Sequence, residues 1–161
     1  AHRIHNFHIV APKVMRGSQP SDEDLYILKK DYGVKTILNL RNDEEHNQGE
    51  KETVEYLGMK YISIPMNAGE KQSIEKIEQC LSVIGDESNQ PLFVHCRAGK
   101  DRTGLVFAAY RIKFDHWSLA VALEEMLAYG YARECCGNLE ESLVEWNKWR
   151  ERQSRSVKAG F

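Results

Sequence analysis

The sequence has no apolar run that approaches the ~20 residues of a membrane-spanning helix, so we expect none of it to cross a bilayer. It also has no excess of one charge, since 22 basic residues stand against 24 acidic ones and the formal net charge is −2. This balance argues against a nucleic-acid binder that depends on a strongly basic surface. No internal repeat, linker or low-complexity segment divides the 161 residues, which predicts a single domain over residues 1–161.

Cysteines are few, and their spacing forms no recognisable disulfide framework. Adjacent Cys135 and Cys136 are poorly placed to bridge each other because disulfide geometry is exacting, so we expect reduced thiols. Cys80 lies on the apolar face of a predicted helix and is expected in the core. The first residue is Ala1 and not Met; a leader removed before it would make export possible, while a cytoplasmic location is otherwise favoured.

Two hydrophobic periods alternate along the chain, and each marks one kind of element. Short apolar or β-branched runs predict strands in VKTILNL, KYISIPM and PLFVH. Helical spacing of apolar residues predicts helices in SDEDLYILKKDYG, DEEHNQGEKETVEYLG, SIEKIEQCLSVIG, TGLVFAAYRIKF, SLAVALEEMLAYG and NLEESLVEWNKWRERQ. Ser21 and Gly33 mark the two ends of the first of these helices. Strands that alternate with helices imply an α/β fold with a central, mostly parallel, twisted sheet flanked by helices on both sides.

The segment VHCRAGKDRTG, residues 94–104, falls between the third predicted strand and the following helix. It therefore lies at the carboxyl edge of the sheet, where α/β folds place their binding sites. Backbone N–H groups of such a loop converge at the helix N-terminus, and the helix dipole adds positive charge there. Arg97, Lys100 and Arg102 add more charge, which makes the loop an anion cradle suited to a tetrahedral dianion. The same field favours the thiolate form of Cys96, which is a nucleophile in place when held against a phosphate.

This segment also matches a known signature. The pattern HC-x5-R-[ST] of the cysteine-dependent protein tyrosine phosphatase superfamily is met by His95, Cys96, Arg102 and Thr103. The stretch VMRGSQPSDEDLYILKKDYGVKTILNLR resembles the N-terminal part of the small dual-specificity-like and phytase-like members, so the likeness extends over most of the chain. The resemblance implies a protein tyrosine phosphatase-like fold and a phosphoric monoester hydrolase that needs neither a metal nor a cofactor.

The resemblance implies a role for each residue of the signature. Cys96 would be the nucleophile that forms a phosphocysteine intermediate. Arg102 would clamp two phosphoryl oxygens and stabilise the transition state, and Thr103 would hydrogen-bond the leaving thiolate when the intermediate is hydrolysed. His95 would orient the loop and tune the thiol, and Gly99 would permit the turn of the backbone.

The sequence departs from the superfamily at the general acid, which is usually an aspartate on a loop well before the cysteine. The corresponding stretch IPMNAGEKQS has no aspartate, and Asn67 near the expected position cannot act as an acid. Glu70 is the nearest carboxylate. We favour Asp101, because some bacterial members with a similar AGKDRTG loop use the aspartate at this position; a salt bridge that fixes the loop is the alternative for this residue. A leaving group that is itself acidic would need little help from either carboxylate.

The substrate class is predicted from the charges of the loop and the length of the chain. Phosphotyrosine-specific members usually carry an added recognition loop, for which this chain is too short. Arg97 and Lys100 resemble the basic loops of members that act on inositol polyphosphates and phosphoinositides, and a substrate with several phosphates gains from each extra cation. We therefore predict these substrates before phosphoproteins. The predicted binding residues are Arg97, Ala98, Gly99, Lys100, Asp101 and Arg102, with Arg16, Arg41 and Lys71 as further cations near the rim.

Three other functions stay open. A dual-specificity or tyrosine protein phosphatase would use the same cradle. A rhodanese-like sulfurtransferase also has a cysteine loop at a helix N-terminus, but Arg102 and Thr103 at this spacing count against it. A phosphate-binding module without catalysis is motivated by the missing aspartate. We expect a monomer without a metal site, and interpret His2, His5 and His8 near the N-terminus as surface residues.

Overall fold

A computed structural model of the protein describes residues 3–159, so His2 lies outside the described residues. The five strands are β1 His8–Ala11, β2 Val14–Gly17, β3 Thr36–Asn39, β4 Lys60–Ser63 and β5 Leu92–His95. The six α-helices are α1 Asp22–Tyr32, α2 Glu44–Tyr56, α3 Ile74–Gly85, α4 Arg102–Phe114, α5 Leu119–Ala128 and α6 Arg133–Ala159, with a 3-10 turn at Glu87–Asn89. Within residues 3–159, no helix is both long and apolar enough to span a membrane.

The strands form one sheet in the order β1-β2-β5-β3-β4. β1 and β2 pair as an antiparallel hairpin, whereas the β2–β5, β5–β3 and β3–β4 pairs are parallel. β5 lies in the centre and all of its residues are buried, as an unbroken apolar run predicts. The carboxyl ends of four parallel strands therefore meet at one edge of the sheet.

Helices cover both faces of the sheet, and the alternation of side chains along the strands divides the core in two. On one face, Met15, Ile37 and Phe93 pack with residues of α1 and α2. On the other face, Leu38 and Val94 pack with residues of α3, α4, α5 and α6. The predicted α/β fold, with a mostly parallel sheet between helices, is confirmed.

The helix ends follow their capping signals. The hydroxyl of Ser21 accepts a hydrogen bond from the Asp24 N–H at 3.1 Å, and the Asp24 carboxylate accepts one from the Ser21 N–H at 3.0 Å. Gly33 ends α1 in the left-handed conformation, with φ of 66°. α4 differs, because its N-cap residue Asp101 makes no capping bond with its side chain. The N–H groups at the start of α4 are therefore not covered by a cap of their own.

The structure differs from the predicted elements in two places. The β1–β2 hairpin was not predicted, because strands of only four residues on either side of Pro12 show no clear hydrophobic period. α6 begins at Arg133 and not at Asn138, and it includes a break at Cys136, where φ is −140° and ψ is 39°.

The cysteines fall into two pairs with different states. Cys80 and Cys96 are free and buried. Burial raises the pKa of the Cys80 thiol to about 12, as for a residue of the predicted core. The prediction of reduced thiols at Cys135 and Cys136 is wrong, because their sulfurs form a disulfide with an S–S distance of 2.11 Å. The backbone departs from helical geometry at Cys136, one of the two bonded residues.

Candidate active site

The loop between β5 and α4, residues 96–101, lies at the carboxyl edge of the sheet and is called the anion loop here. Backbone hydrogen bonds tie its β5 end to two neighbouring segments. The Gln19 N–H, after β2, donates to the Arg97 carbonyl at 3.0 Å. The Leu40 N–H, after β3, donates to the His95 carbonyl at 2.9 Å. The loop is therefore held between the segments that follow the two strands beside β5.

Gly99 allows the turn of the anion loop. Its φ is 70°, in the left-handed region that side chains rarely adopt. A Cβ at this position would lie 2.6 Å from the carbonyl carbon of Gly17 and 2.8 Å from the nitrogen of Ser18. Neither the conformation nor the space admits a side chain, because the loop packs directly on the backbone that follows β2.

The anion loop turns its carbonyl groups outward and keeps its amides free. The Gly99 carbonyl accepts hydrogen bonds from Asn6 Nδ2 at 2.9 Å and from Arg16 Nη2 at 3.1 Å. In the part of the chain that the structure describes, no group accepts a hydrogen bond from the N–H groups of residues 97–101. The dipole of α4 adds positive charge at the same place. This arrangement suits an oxyanion.

Cys96 lies at the base of the anion loop, directly after β5, and is 2% exposed. Thr103, in the first turn of α4, is fully buried. Its Oγ1 has no hydrogen-bond partner among residues 3–159. Because buried hydroxyls are nearly always hydrogen-bonded, Thr103 is a candidate for a contact that forms only during a reaction.

His95 is fixed by a carboxylate from α2. Its Nε2 lies 2.8 Å from Glu50 Oε2, and its Nδ1 lies 2.9 Å from the Cys96 carbonyl oxygen. Both ring nitrogens therefore lie at hydrogen-bonding distance from an oxygen atom. Burial alone would raise the pKa of the Glu50 carboxyl. The hydrogen bond and charge of His95 and the hydrogen bond from Gln19 outweigh burial, so this pKa lies below its ordinary value of 4.5.

Arg102 reaches from the start of α4 across the carboxyl edge of the sheet. Its Nη1 donates to Asn42 Oδ1 at 3.0 Å and to the Met66 carbonyl at 3.2 Å, in the loops that follow β3 and β4. Nη2 and Nε have no hydrogen-bond partner among the residues described. The guanidinium thus keeps one edge free for a bidentate contact with an oxyanion.

Asp101 faces the turn between α5 and α6. Its Oδ1 accepts a hydrogen bond from the Ala132 N–H at 3.1 Å, and its Oδ2 lies 3.9 Å from Cys135 Sγ. This contact braces the anion loop, through a backbone amide and not through the expected salt bridge. Asp101, Cys135 and Cys136 also bring three possible metal-ligand atoms within 4.8 Å of one another, but the disulfide leaves no thiolate to bind a metal. The general-acid role of Asp101 stays a prediction.

The loop that follows β4 directs its polar side chains to itself and to α6. Asn67 Oδ1 accepts a hydrogen bond from the Gly69 N–H at 2.9 Å, and Asn67 Nδ2 lies 3.4 Å from Glu70 Oε1. Lys71 is 2.7 Å from a carboxylate oxygen of Glu145 in α6. The structure therefore brings neither Glu70 nor Lys71 into contact with the anion loop.

The other predicted cations are distributed around the anion loop. Arg97, Ala98 and Lys100 line an open cavity of about 610 Å³ beside it, together with His5, Asn6, Ser18 and Gln19. Arg41 reaches the same border, since its Nη1 donates to Gln19 Oε1 at 2.9 Å. Arg16 does not lie at the rim as expected. It is 1% exposed and lies behind the loop, because β2 is directly paired with β5.

Several side chains that hold this site have no signal in the sequence. They are Asn6, Gln19, Asn42 and Glu50, and each contacts a residue of the anion loop or of the phosphatase-like signature, directly or through one neighbour. Glu50 belongs to a highly charged helix, which is typical of a solvated surface. Only the tertiary structure shows that this carboxylate is buried.

A comparison with protein families shows to which family the chain belongs. The model described as "Tyrosine phosphatase family" matches residues 3–158. The chain belongs to this family. Membership confirms the superfamily that the HC-x5-R-[ST] signature predicted.

Two curated relatives of this family member carry different activities in their names. The dual specificity protein phosphatase TpbA of Pseudomonas aeruginosa is 27% identical over 132 residues, which cover 80% of this chain and 56% of TpbA. The inositol diphosphatase SIW14 of Saccharomyces cerevisiae is 26% identical over 132 residues, which cover 80% of this chain and 46% of SIW14. The chain therefore spans about half the length of these relatives.

A solved structure extends the likeness to the whole fold. The core catalytic domain of the PP-IP phosphatase SIW14, in complex with citrate, matches with a TM-score of 0.79. The match covers 97% of this chain and 94% of that domain at 23% identity. At this identity the likeness concerns the fold.

We predict that Glu50→Gln lowers the free energy of unfolding at neutral pH by about 1.5–3 kcal/mol, because a charged, buried partner of His95 is lost. The pKa of Glu50 is lower in the folded than in the unfolded state. The stabilisation is therefore present above about pH 4.5 and is lost as the pH falls through the folded-state pKa. Urea denaturation from pH 7 to pH 3 measures this difference, which should shrink toward the acid end. Glu55→Gln, on the exposed face of the same helix, is the control, and an equal effect of both variants would contradict the prediction.

Proposed function

We propose that this protein is a cysteine-dependent phosphoric monoester hydrolase that works through a phosphocysteine intermediate, with residues 1–161 as one phosphatase domain. The anion loop is the observation that supports the proposal. Cys96 lies at its base, and the amides of residues 97–101 and the free edge of Arg102 are available to one oxyanion. A purely structural cysteine would require none of these groups.

The reaction has two steps. In the first, Cys96 Sγ attacks phosphorus and forms an S–P bond while the P–O bond breaks and its electron pair goes to the leaving oxygen. The amides of the anion loop and Arg102 stabilise the charge on the other phosphoryl oxygens. In the second, water attacks phosphorus, the S–P bond breaks, and the Thr103 hydroxyl donates a hydrogen bond to the departing thiolate. Inorganic phosphate and the free enzyme result.

We propose an inositol polyphosphate as the favoured substrate. Arg97 and Lys100 line the cavity beside the anion loop, and Arg41 reaches its border through Gln19. These cations lie beside the anion loop and would bind further phosphates of the same molecule. SIW14, which is named an inositol diphosphatase, supports this substrate class. A phosphoprotein substrate is the alternative, supported by the name of TpbA.

The nature of the leaving group bears on the missing aspartate. If the substrate carries a diphosphate group, the leaving group is itself a phosphate, which departs as a stable anion and needs no proton. Asn67 in place of an acid would then cost little. With a simple phosphomonoester, the leaving alkoxide requires a proton, and Asp101 is the carboxylate that we propose to supply it.

The first test is Cys96→Ser, which we expect to abolish phosphate release while substrate binding persists, because the anion loop survives and the nucleophile does not. Cys80→Ala removes the other free thiol and should retain activity. A chelator should leave the wild-type rate unchanged. Phosphate release from p-nitrophenyl phosphate and mass spectrometry of a trapped phosphocysteine provide the readouts. Thiosulfate turnover without phosphate release would indicate a sulfurtransferase, and binding without a phosphocysteine would indicate a non-catalytic module.

The second test concerns the substrate class. The double variant Arg97→Ala/Lys100→Ala should lower kcat/KM for an inositol polyphosphate by roughly 5- to 20-fold, since two exposed cations each contribute modestly. It should change kcat/KM for p-nitrophenyl phosphate by no more than about 2-fold. Lys71→Ala is the matched control, because Lys71 pairs with Glu145 and Glu141 of α6. Equal losses on both substrates would count against a site for several phosphates.

The third test separates an acid from a brace. If Asp101 protonates the leaving oxygen, Asp101→Asn should lower kcat by roughly 10²–10⁴ with a poor leaving group such as an alkyl phosphate. The loss should shrink greatly with p-nitrophenyl phosphate, whose leaving group departs without a proton. Glu70→Gln should be nearly neutral with both. Equal losses for good and poor leaving groups would show that Asp101 only braces the loop.

A further inference from the structure

Arg16 is a buried cation without an acidic partner. It lies on β2 opposite Val94 of β5, and it is 1% exposed. None of the ion pairs within residues 3–159 involves it. Its Nε is buried and has no hydrogen-bond partner among the described residues. A cation placed in this way is costly, because a buried charge normally requires a paired charge and complete hydrogen bonding.

Two aromatic rings compensate part of this cost. The Arg16 Cζ lies 5.1 Å from the centroid of the Phe107 ring and 5.0 Å from that of Tyr129. Burial lowers the pKa of Arg16 to about 10, against the opposing charges of Glu125 and Cys96. The guanidinium therefore remains charged at neutral pH.

Within residues 3–159, the one hydrogen bond that the Arg16 guanidinium donates goes to the anion loop. Its Nη2 lies 3.1 Å from the Gly99 carbonyl oxygen, which also accepts from Asn6 Nδ2 at 2.9 Å. Asn6 Nδ2 also donates to the Tyr129 carbonyl at 2.7 Å, and Arg16 packs over the Tyr129 ring. Tyr129 therefore contacts both donors. Gly99 is the residue at which the loop turns.

We propose that Arg16 is a positioning residue of the phosphatase site, which holds the Gly99 carbonyl outward so that the amides of the anion loop point at the phosphoryl oxygens. Its unpaired charge lies behind the loop and adds to the positive potential that an oxyanion meets there. This inference rests on the proposed function. It also explains why a cation is retained where an apolar side chain would fill the space.

The inference predicts a separation between stability and function. Replacement of a buried ion by an apolar side chain of similar size is often neutral or stabilising. Arg16→Met should therefore keep or raise Tm, while the inhibition constant of inorganic phosphate against p-nitrophenyl phosphate rises by about 10- to 100-fold and kcat falls. Arg16→Lys, which keeps the charge, should recover part of both losses.

Two further variants complete the experiment. Arg111→Met is the matched control, because Arg111 also packs over an aromatic ring, Trp117, but pairs with Asp115 and Glu125 away from the loop. It should lower Tm and leave phosphate inhibition unchanged. Asn6→Ala removes the second donor to the Gly99 carbonyl and should weaken phosphate inhibition by a smaller factor, with the buried charge in place.

The outcomes are distinct. Phosphate inhibition within 2-fold of wild type in folded Arg16→Met overturns the inference. So does a parallel loss of Tm and phosphate inhibition that Arg16→Lys does not reverse, since this is the pattern of a merely structural residue. If Arg16→Met does not fold, Arg16→Lys and Asn6→Ala decide by the same inhibition constant. A wild-type protein that neither hydrolyses p-nitrophenyl phosphate nor binds phosphate would overturn the proposed function itself.

Discussion

The outward orientation of the Gly99 carbonyl is the constraint on which the rest of the site depends. A loop of backbone amides attracts an anion only if its carbonyl oxygens, which repel one, are fixed elsewhere. Here the carbonyls of Arg97 and Gly99 are fixed by donors from the N-terminal segment, from β2 and from the segment that follows β2. The positive φ of Gly99 and its contact with the backbone of Gly17 belong to the same arrangement. β2 is thus both a strand of the sheet and the segment that packs behind the anion loop.

The charges of the site are local and differ from those of the whole chain. The net charge of the sequence is −2, yet Arg16, Arg97, Lys100 and Arg102 all lie in or against one loop. Glu50, a buried carboxylate nearby, pairs with His95. It therefore orients the end of β5 and does not neutralise the cradle. Because the protein as a whole is weakly acidic, its surface does not attract every polyanion. An anion meets positive charge only where it fits the loop.

Sequence patterns predicted the α/β fold and the loop at the carboxyl edge of its sheet, but neither the β1–β2 hairpin nor the side chains that support this loop. Helix caps such as Ser21 and Gly33 and the apolar run of β5 are local signals, and local signals determine element type and order. The spacing of Cys96 and Arg102 is likewise local. Asn6, Arg16 and Glu50 act across the fold, where only strand pairing and helix packing bring them to the loop. The Cys135–Cys136 disulfide was not predicted, because it coincides with a break in α6 that no residue pattern in the sequence predicts.

The position of Asp101 can be compared with the place that the leaving oxygen would occupy in the proposed reaction. In an in-line displacement the leaving oxygen lies opposite the attacking sulfur, at the mouth of the cradle and away from Cys96. The loops that follow β3 and β4 reach this edge, since Arg102 binds Asn42 and the Met66 carbonyl there. The loop after β4 carries Asn67 near the position where the superfamily usually has an aspartate. Asp101 belongs to the cradle itself, and both of its oxygens face the turn between α5 and α6. A proton from Asp101 would need a rotation away from Ala132, whereas a phosphate as leaving group would need no rotation. Under the proposed function, this geometry favours substrates whose leaving group is already a stable anion.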